Sequence, residues 1–419
     1  MTSGKPRPGW YPCEDFPLWL ELVKNTIRKY KADADVVFWT YNWGWADEKS
    51  RIKLINTLPT DISLMATFEM FEKYTKGDIT EYTSDYTIAF EGPGRYFTSE
   101  AEAASKRGIK LYSMTNTGGM TWDMGVIPYV PVPGQWMKRY AKMLEAAEKW
   151  GLCGVMESHH YGFYPSFIAD LSARVFDIGA DTADDTLDFA LSKHFGAENA
   201  VQIKSALAFW SEAITHFTTS NEDQYGPWRV GTAYPFVLKR KVNVPCSKHA
   251  MFCSSICFMS YPDFPVNDHP DNSAPALRMP REIEFLNKAF ELFGKGLEIL
   301  DGILNPNDEL LRLINLGKFI GCMITTTINI KKWYLAKTAL SIEQNLGHAN
   351  KLIDELENIA ICEIDNANKS IPLVEYDSRL GWEPSMEYVC HRENIEWKIR
   401  HLTYVLNSEI PDIRKSFNM

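Results

Sequence analysis

Residues 134–157, GQWMKRYAKMLEAAEKWGLCGVME, change from one periodicity to another within a single stretch. Apolar residues recur at helical spacing up to Trp150, a glycine follows, and Leu152–Met156 is a short apolar run that ends on Glu157. A helix followed by a buried strand is the repeating unit of a parallel sheet. The stretch therefore predicts an α/β fold with Glu157 at the carboxyl end of a strand.

The same alternation extends toward the N-terminus. The pattern predicts four earlier strands (Ala34–Tyr41, Asp61–Phe68, Tyr86–Phe90, Lys110–Thr115) and three earlier helices (Asp15–Tyr30, Glu48–Leu58, Ser99–Arg107). Five strands do not close a (β/α)8 barrel, which needs eight. We therefore expect either an open sheet or, as we favour from the loop-like start PRPGWYPCEDFP, the later part of a TIM-type barrel.

Beyond Pro165 the strand pattern stops and helical spacing continues. Seven helices are predicted, at 167–176, 184–195, 199–217, 281–304, 309–340, 342–366 and 393–405. Long helices packed side by side form bundle-like domains. The sequence thus predicts a partial barrel over residues 1–175 and an all-α helical domain over residues 176–419.

Composition limits the partners. The 419 residues are 45% hydrophobic and 23% charged, with a net charge of −10, and no basic run is present. Nucleic acid and anionic membranes are therefore not expected as partners. The eight cysteines form no C-x-x-C pair, no signal-peptide pattern is seen, and no uninterrupted apolar run reaches membrane-spanning length. These features favour a cytoplasmic protein without a cofactor or bound metal.

Acidic side chains follow several of the predicted strands. Glu69, Glu91 and Glu157 each come directly after an apolar run. The carboxyl ends of parallel strands meet at one edge of a sheet, which is where reactive groups of such folds lie. Glycosidic cleavage uses two carboxyl groups, one of them a proton donor whose pKa is raised by burial. Each glutamate alone is also compatible with an ordinary salt bridge, and Glu72, a turn further on, is more simply explained as structural.

Aromatic and amide side chains accompany these acids, in a chain that is 13% aromatic. Aromatic faces suit sugar rings, although large cores use aromatic residues as well. The candidate substrate-binding residues are Asn42, Trp43, Trp45, Asn116, Trp122, His159, His160, Tyr161 and Arg379. The amides and histidines would orient hydroxyl groups, the aromatic residues would line a cleft, and Arg379 would hold a carboxylate.

A metal site at Glu91, Glu157 and His159 is a further alternative. Glu and His are good metal ligands, but the adjacent His159 and His160 would point to opposite sides of an extended segment. No phosphate-binding glycine loop and no G-x-S-x-G nucleophile motif are present.

Residues 150–210 resemble a known group of enzymes. They are similar to the last barrel strand and following helices of glycoside hydrolases of families 20 and 67, including an aromatic-glycine helix end (His194-Phe195-Gly196) and a helix with Trp210. The resemblance spans about residues 30–220. The Asp-Glu pair at the fourth strand of family 20 enzymes has no counterpart here.

The expected function is therefore that of a glycoside hydrolase that cleaves an oligosaccharide or glycan with paired carboxyl groups. The alternatives are a non-catalytic carbohydrate-binding or truncated barrel protein and a metal-dependent barrel hydrolase. The expected partner is a carbohydrate substrate, and a homo-oligomer is left open.

Overall fold

The computed structural model describes residues 15–41, 43, 46–70, 72–83, 87–157, 164–177, 183–217, 220–239, 242, 244–245, 261, 273–383 and 388–417. Five of the predicted binding residues lie outside these ranges: Asn42, Trp45, His159, His160 and Tyr161. The side chain of Trp122 also lies outside them, although its backbone is described.

Four parallel strands form the central sheet of the described chain. They are β1 (Val37–Trp39), β2 (Ser63–Thr67), β5 (Lys110–Met114) and β6 (Leu152–Met156), and they are hydrogen-bonded in the order β1-β2-β5-β6. Val37 pairs with Ser63, which in turn pairs with Lys110. Four of the five predicted strands are thus confirmed, and so is the mixed α/β class with a parallel sheet. A closed barrel is not seen among the described residues.

Helices connect these strands. They are α1 (Phe16–Arg28), α2 (Glu48–Ile55), α3 (Arg95–Arg107) and α4 (Pro133–Trp150). The ends follow from local chemistry, since the Asp47 side chain accepts the Ser50 N–H at the start of α2 and a proline opens α4. Gly108 and Gly151 end α3 and α4 with φ angles of 68° and 74°, a left-handed conformation that favours glycine.

One predicted strand is wrong and one hairpin was missed. Residues 87–90 of the predicted strand Tyr86–Phe90 are irregular, and Tyr86 is outside the described residues. Instead, β3 (Glu72–Lys76) and β4 (Ile79–Thr83) pair as an antiparallel hairpin. Its two-residue turn is Gly77-Asp78, with φ of 61° at the glycine. A Gly-Asp pair between two β-rich runs is a hairpin signal that the sequence contained.

The rest of the described chain is helical, as predicted. The helices are α5 (Phe167–Val175), α6 (Ala183–Phe195), α7 (Ala200–Ile214), α8 (Asn221–Gln224), α9 (Pro227–Val230), α10 (Pro275–Asp301), α11 (Asp308–Ile342), α12 (Leu346–Tyr376), α13 (Arg392–Tyr404) and α14 (Ile410–Phe417). Short 3-10 turns lie at Trp122–Met124 and Gly231–Ala233, and a π turn (Val405–Glu409) joins α13 to α14.

Among the described helices, α11 is the one that is long and apolar enough to cross a membrane. Within the protein, 83% of that apolar window is buried. Burial of this kind is typical of a core helix.

A single hydrophobic core extends from α1 to α14. Ser211 in α7 accepts the Gly134 N–H at 3.0 Å, and Trp210 donates to the Phe293 carbonyl at 3.0 Å. These bonds join the sheet part to the helices beyond it. The core includes residues on both sides of positions 175 and 176, where the sequence predicts a domain boundary. That boundary stays a prediction.

Candidate active site

The carboxyl ends of β2, β5 and β6 bring several polar side chains together. Glu69 follows β2, Asn116 follows β5, and Glu157 follows β6 directly. The segment after β5 links the two acids, because Thr115 contacts Glu69 and Thr117 contacts Glu157. The structure therefore places Glu69 and Glu157 at the same edge of the sheet.

Glu157 is held by the turn after β5. Its Oε1 accepts the Thr117 N–H at 2.8 Å and the Gly118 N–H, and its Oε2 accepts from the Thr117 hydroxyl. Burial raises the pKa of Glu157, and the hydrogen bonds from Thr117 and Gly118 partly oppose that shift. One oxygen is thus fixed by backbone amides, while the other faces a hydroxyl that either donates or accepts.

Glu69 is completely enclosed and forms an ion pair with the equally buried Arg139. Its other oxygen lies 3.3 Å from the Thr115 hydroxyl. Burial raises the pKa of Glu69 to about 7, although the charge of Arg139 opposes the shift. Its predicted catalytic role stays a prediction, and the structure adds that neither solvent nor substrate reaches this carboxyl group in the conformation described.

Arg139 of α4 fixes the loops around this edge. Its Nη1 donates to the carbonyls of Thr87 and Phe90, both at 3.1 Å. Its Nη2 donates to Thr115 at 2.6 Å as well as to Glu69. One buried guanidinium therefore ties α4 to β2, to β5 and to the irregular segment 87–90.

Asp123 is a buried acid that was not among the predicted site residues. It lies in the 3-10 turn after β5, and its Oδ2 accepts the Ile88 N–H at 2.7 Å, whereas its Oδ1 has no hydrogen-bond partner. Burial raises the pKa of Asp123 to about 7, and the nearby Glu69 adds to the shift. Its neighbour Trp122 was selected from the sequence and Asp123 was not, because the sequence does not show that this acid is buried beside Ile88 and Glu69.

Asn116 has a similar deficit of partners. Its side chain is buried, and neither its Oδ1 nor its Nδ2 has a hydrogen-bond partner. The Oε1 of the buried Gln135 is unpartnered too, while its Nε2 donates to the Ile88 carbonyl at 3.1 Å. We call Glu69, Thr115, Asn116, Asp123, Gln135 and Arg139 the rim cluster.

Glu72 and Glu91 have different surroundings. Glu72 accepts the N–H groups of Arg95 and Tyr96 at the start of α3, and burial raises its pKa to about 7. A carboxylate at a helix N-terminus is a structural arrangement. Glu91 has a side chain that is 42% exposed and lies 3.3 Å from Lys138, so solvent reaches this acid.

Two of the predicted binding residues already make contacts within the protein that leave them less available to a ligand. Trp43 is buried, with its ring 5.2 Å from that of Phe38, so its indole presents no face to a ligand. Arg379 lies in the loop after α12 and forms two hydrogen bonds to Asp377, at 2.9 and 2.7 Å. The structure does not bring Trp43 to the surface of the sheet edge.

A small apolar cluster covers the other face of the sheet. Met65, Met114 and Met120 are buried in it, and half-buried side chains pack around them: Trp39, Tyr41, Tyr112, Met156, Tyr164 and Tyr225. Tyr112 points toward the amino ends of the strands, where its hydroxyl donates to Asp35 at 3.2 Å. The half-buried aromatic side chains beside the sheet edge are therefore Trp39, Tyr41, Tyr164 and Tyr225 rather than Trp43.

No group of three or more His, Cys, Asp and Glu side chains within the described ranges is arranged to hold a metal ion. His159 of the metal alternative lies outside those ranges, so that alternative stays a prediction.

Comparison with known proteins gives a likeness of fold. No family model matches the chain, and no curated protein matches it. A solved GH138 enzyme that targets the pectin rhamnogalacturonan II is similar, with a TM-score of 0.55 and 12% sequence identity over 94% of this chain. The chain spans 57% of that enzyme's length. At this identity the likeness is one of fold alone, and it does not single out families 20 or 67.

Proposed function

We propose that this protein is a glycoside hydrolase that uses Glu157 as its proton donor, on a sheet that forms part of a (β/α)8 barrel. The observation that carries the proposal is the position of Glu157. It follows the last parallel strand directly, in a fold similar to that of a glycan-degrading enzyme. Reactive groups of parallel α/β folds lie at this end of the strands.

The surroundings of Glu157 suit a general acid. Burial raises the pKa of Glu157 and so favours its protonated form, which is the form that donates to a leaving oxygen. When the carboxyl group is protonated at Oε2, the Thr117 hydroxyl accepts instead of donating, while Thr117 N–H and Gly118 N–H still hold Oε1. The group can therefore change its protonation state without moving.

Of the two predicted candidates for the second carboxyl group, Glu91 and Glu69, we favour Glu91. Glu91 is open to solvent, so a substrate can approach it. Glu69 is enclosed and would act through Arg139 and Thr115, which makes it a positioning residue for the turn that holds Glu157.

The proposed substrate is a glycan with acidic or deoxy sugars, such as oligosaccharides of pectin rhamnogalacturonan II. The support is the similarity to the GH138 enzyme together with the half-buried aromatic residues beside the sheet edge. Such residues stack on sugar faces and keep a polar edge for hydroxyl groups.

Glu157→Gln tests the acid role. On glycosides with poor leaving groups and on rhamnogalacturonan II oligosaccharides, kcat should fall about 10²–10⁴-fold, because general acid catalysis contributes about that much. On dinitrophenyl glycosides, which need no protonation to leave, the loss should be much smaller. Glu145→Gln is the matched control, since Glu145 is exposed on α4 beside Lys142.

Equal losses on both classes of leaving group would contradict the acid role. Full activity of the variant would remove Glu157 from the mechanism.

Carbohydrate binding without catalysis is the second candidate. It is favoured by the enclosure of Glu69 and Asp123, because solvent then reaches only Glu91 and Glu157 among the described acids that were predicted to be catalytic. This candidate would be supported by wild-type protein that binds oligosaccharides in calorimetric titration and cleaves none of them.

A further inference from the structure

Tyr140 is a fully buried side chain of α4 that reaches the turn holding Glu157. Its hydroxyl donates to the Thr117 carbonyl at 2.6 Å. That carbonyl and the Gly118 N–H belong to the same peptide unit, and the Gly118 N–H donates to Glu157 Oε1. One peptide unit is therefore bonded on one side by Tyr140 and on the other side by the acid proposed as the proton donor.

The rigidity of this peptide unit connects the two hydrogen bonds. The unit is planar and trans, so its C=O and its N–H point in opposite directions. A donor that fixes the direction of the Thr117 carbonyl therefore also fixes the direction of the Gly118 N–H. Hydrogen bonds on the two sides of one peptide also polarise each other, which strengthens the bond to the carboxylate.

The tyrosine ring is packed between two other aromatic rings. It stacks on Trp136 with 6.1 Å between the ring centroids, and it meets Phe176 edge to face with 5.4 Å between the centroids. Burial raises the pKa of the Tyr140 hydroxyl well above its ordinary value, and the charge of Glu157 adds to the shift. The hydroxyl thus keeps its proton at neutral pH and stays a donor in a fixed place.

We propose that Tyr140 is a positioning residue for Glu157, which acts through the Thr117–Gly118 peptide by aiming a backbone N–H at the carboxylate. In this way it would set both the orientation and the proton affinity of the acid. The inference rests on the proposed role of Glu157 as proton donor and deepens it, because it assigns control of that acid to a residue in the middle of a helix.

Trp136 offers a matched comparison on the same face of α4, four residues before Tyr140. It is also fully buried, and its Nε1 donates to the Val130 carbonyl at 2.9 Å, in the same loop between β5 and α4. The Val130 carbonyl belongs to a different peptide unit from the one that bonds Glu157. The two side chains therefore make the same kind of bond to the same loop, and only that of Tyr140 reaches the acid.

NMR of the full chain with isotope-labelled glutamate and glycine tests the proposal without requiring activity. In wild type, the Gly118 amide shift should follow the titration of the Glu157 carboxyl group, which Glu157→Gln assigns. Tyr140→Phe removes one hydroxyl and keeps the ring. The pKa of Glu157 should then rise by about half a unit, because a hydrogen bond that favours the charged form is weakened. The pH-dependent change at Gly118 should shrink by about half.

Trp136→Phe is the control for a merely structural effect. It also removes a buried donor, so it should lower stability, but it should leave the titrations of Glu157 and Gly118 in place. The proposal would be overturned by a Gly118 amide that does not titrate with Glu157 in wild type. It would equally be overturned by an unchanged pKa in Tyr140→Phe, or by an equal shift in Trp136→Phe.

Kinetics separate this inference from the proposed function. On glycosides with poor leaving groups, Tyr140→Phe should lower kcat about threefold to tenfold with KM unchanged, because a less firmly oriented acid transfers its proton less often. The basic limb of the pH profile should move upward with the pKa of Glu157. A Glu157→Gln variant that cleaves these substrates as fast as wild type would contradict the proposed function and leave the titration result in place.

Discussion

Two buried polar clusters, one among the helices and one under the sheet edge, differ in how completely their hydrogen bonds are satisfied. The first, here the helical cluster, consists of Thr326, Asn329, Glu363, Asn366 and Lys398, and none of its buried side-chain polar atoms lacks a partner. Thr326 and Asn329 donate to Glu363 at 2.6 and 2.8 Å. In the rim cluster, Asn116, Asp123 and Gln135 retain unpartnered atoms.

This difference in hydrogen bonding distinguishes a cluster that stabilises the fold from one that can serve a function. A buried polar atom without a partner costs about 1–3 kcal/mol, so a fold has no reason to keep several at one place for its own stability. A satisfied cluster fixes how helices pack, whereas an unsatisfied one at a strand end is available to a ligand. The following predictions test that difference.

Removing one partner of the helical cluster should have the largest effect. Lys398 is buried, bonds Glu363 and donates to the Thr232 carbonyl at 2.7 Å. Lys398→Met leaves the Glu363 carboxylate uncompensated, so the free energy of unfolding in urea should fall by about 3–5 kcal/mol. The exposed pair Glu102–Lys106 is the control, and Lys106→Met should cost less than about 0.5 kcal/mol. Equal losses would show that Lys398 carries no buried charge pair.

The rim cluster should respond to pH. Burial raises the pKa of Asp123 from its ordinary value of 3.8 to about 7 in the folded protein, so the folded state binds the extra proton between these values. Stability contributed by this group is therefore lost as pH rises from about 4 to 7, by about 4 kcal/mol, and is constant outside that window. Asp123→Asn should flatten this part of the stability profile, measured by urea unfolding from pH 4 to 8.

Glu69 titrates in an overlapping window, because its pKa is also raised to about 7. A residual slope in Asp123→Asn is therefore expected, and Asp123→Asn/Glu69→Gln should reduce it further, leaving the contribution of Glu72, whose pKa is also raised to about 7. A profile that neither substitution changes would contradict the burial of these acids.

Two buried asparagines give a matched test of the same difference. Asn366 donates to the Cys322 carbonyl at 2.9 Å and to Thr326 at 3.0 Å, whereas Asn116 has no partner. Asn366→Leu should therefore lower the free energy of unfolding by about 2 kcal/mol, and Asn116→Leu should leave it unchanged or raise it by about 1 kcal/mol. Only Asn116→Leu should weaken oligosaccharide binding in calorimetry. The reverse order of stabilities would remove the distinction between the clusters.

Sequence periodicity was enough to predict the four parallel strands and the long helices beyond Pro165. A strand or helix that buries one face must repeat its apolar residues at its own structural period. Periodicity failed at residues 87–90, where an apolar run is held by Arg139 and Asp123 through its backbone rather than by a neighbouring strand. The strand-end rule located Glu69, Asn116 and Glu157. It did not show that Arg139, from the middle of α4, would enclose Glu69, because a contact over 70 residues depends on how the helix packs.

The smallest predicted effect concerns the proton of Glu157. The Thr117 hydroxyl lowers the pKa of this acid against the effect of burial, and Thr117→Val removes the hydroxyl while keeping the shape of the side chain. The pKa of Glu157 should then rise by about one unit, since a hydrogen bond to a charged group is worth about 1.5–3 kcal/mol and the two backbone amides remain. Carboxyl carbon chemical shifts of Glu157, followed by NMR from pH 4 to 9, measure the change without requiring activity. Thr115→Val, next to Glu69, is the control and should leave the Glu157 titration in place, whereas an equal shift in both variants would mean that the whole sheet edge had relaxed.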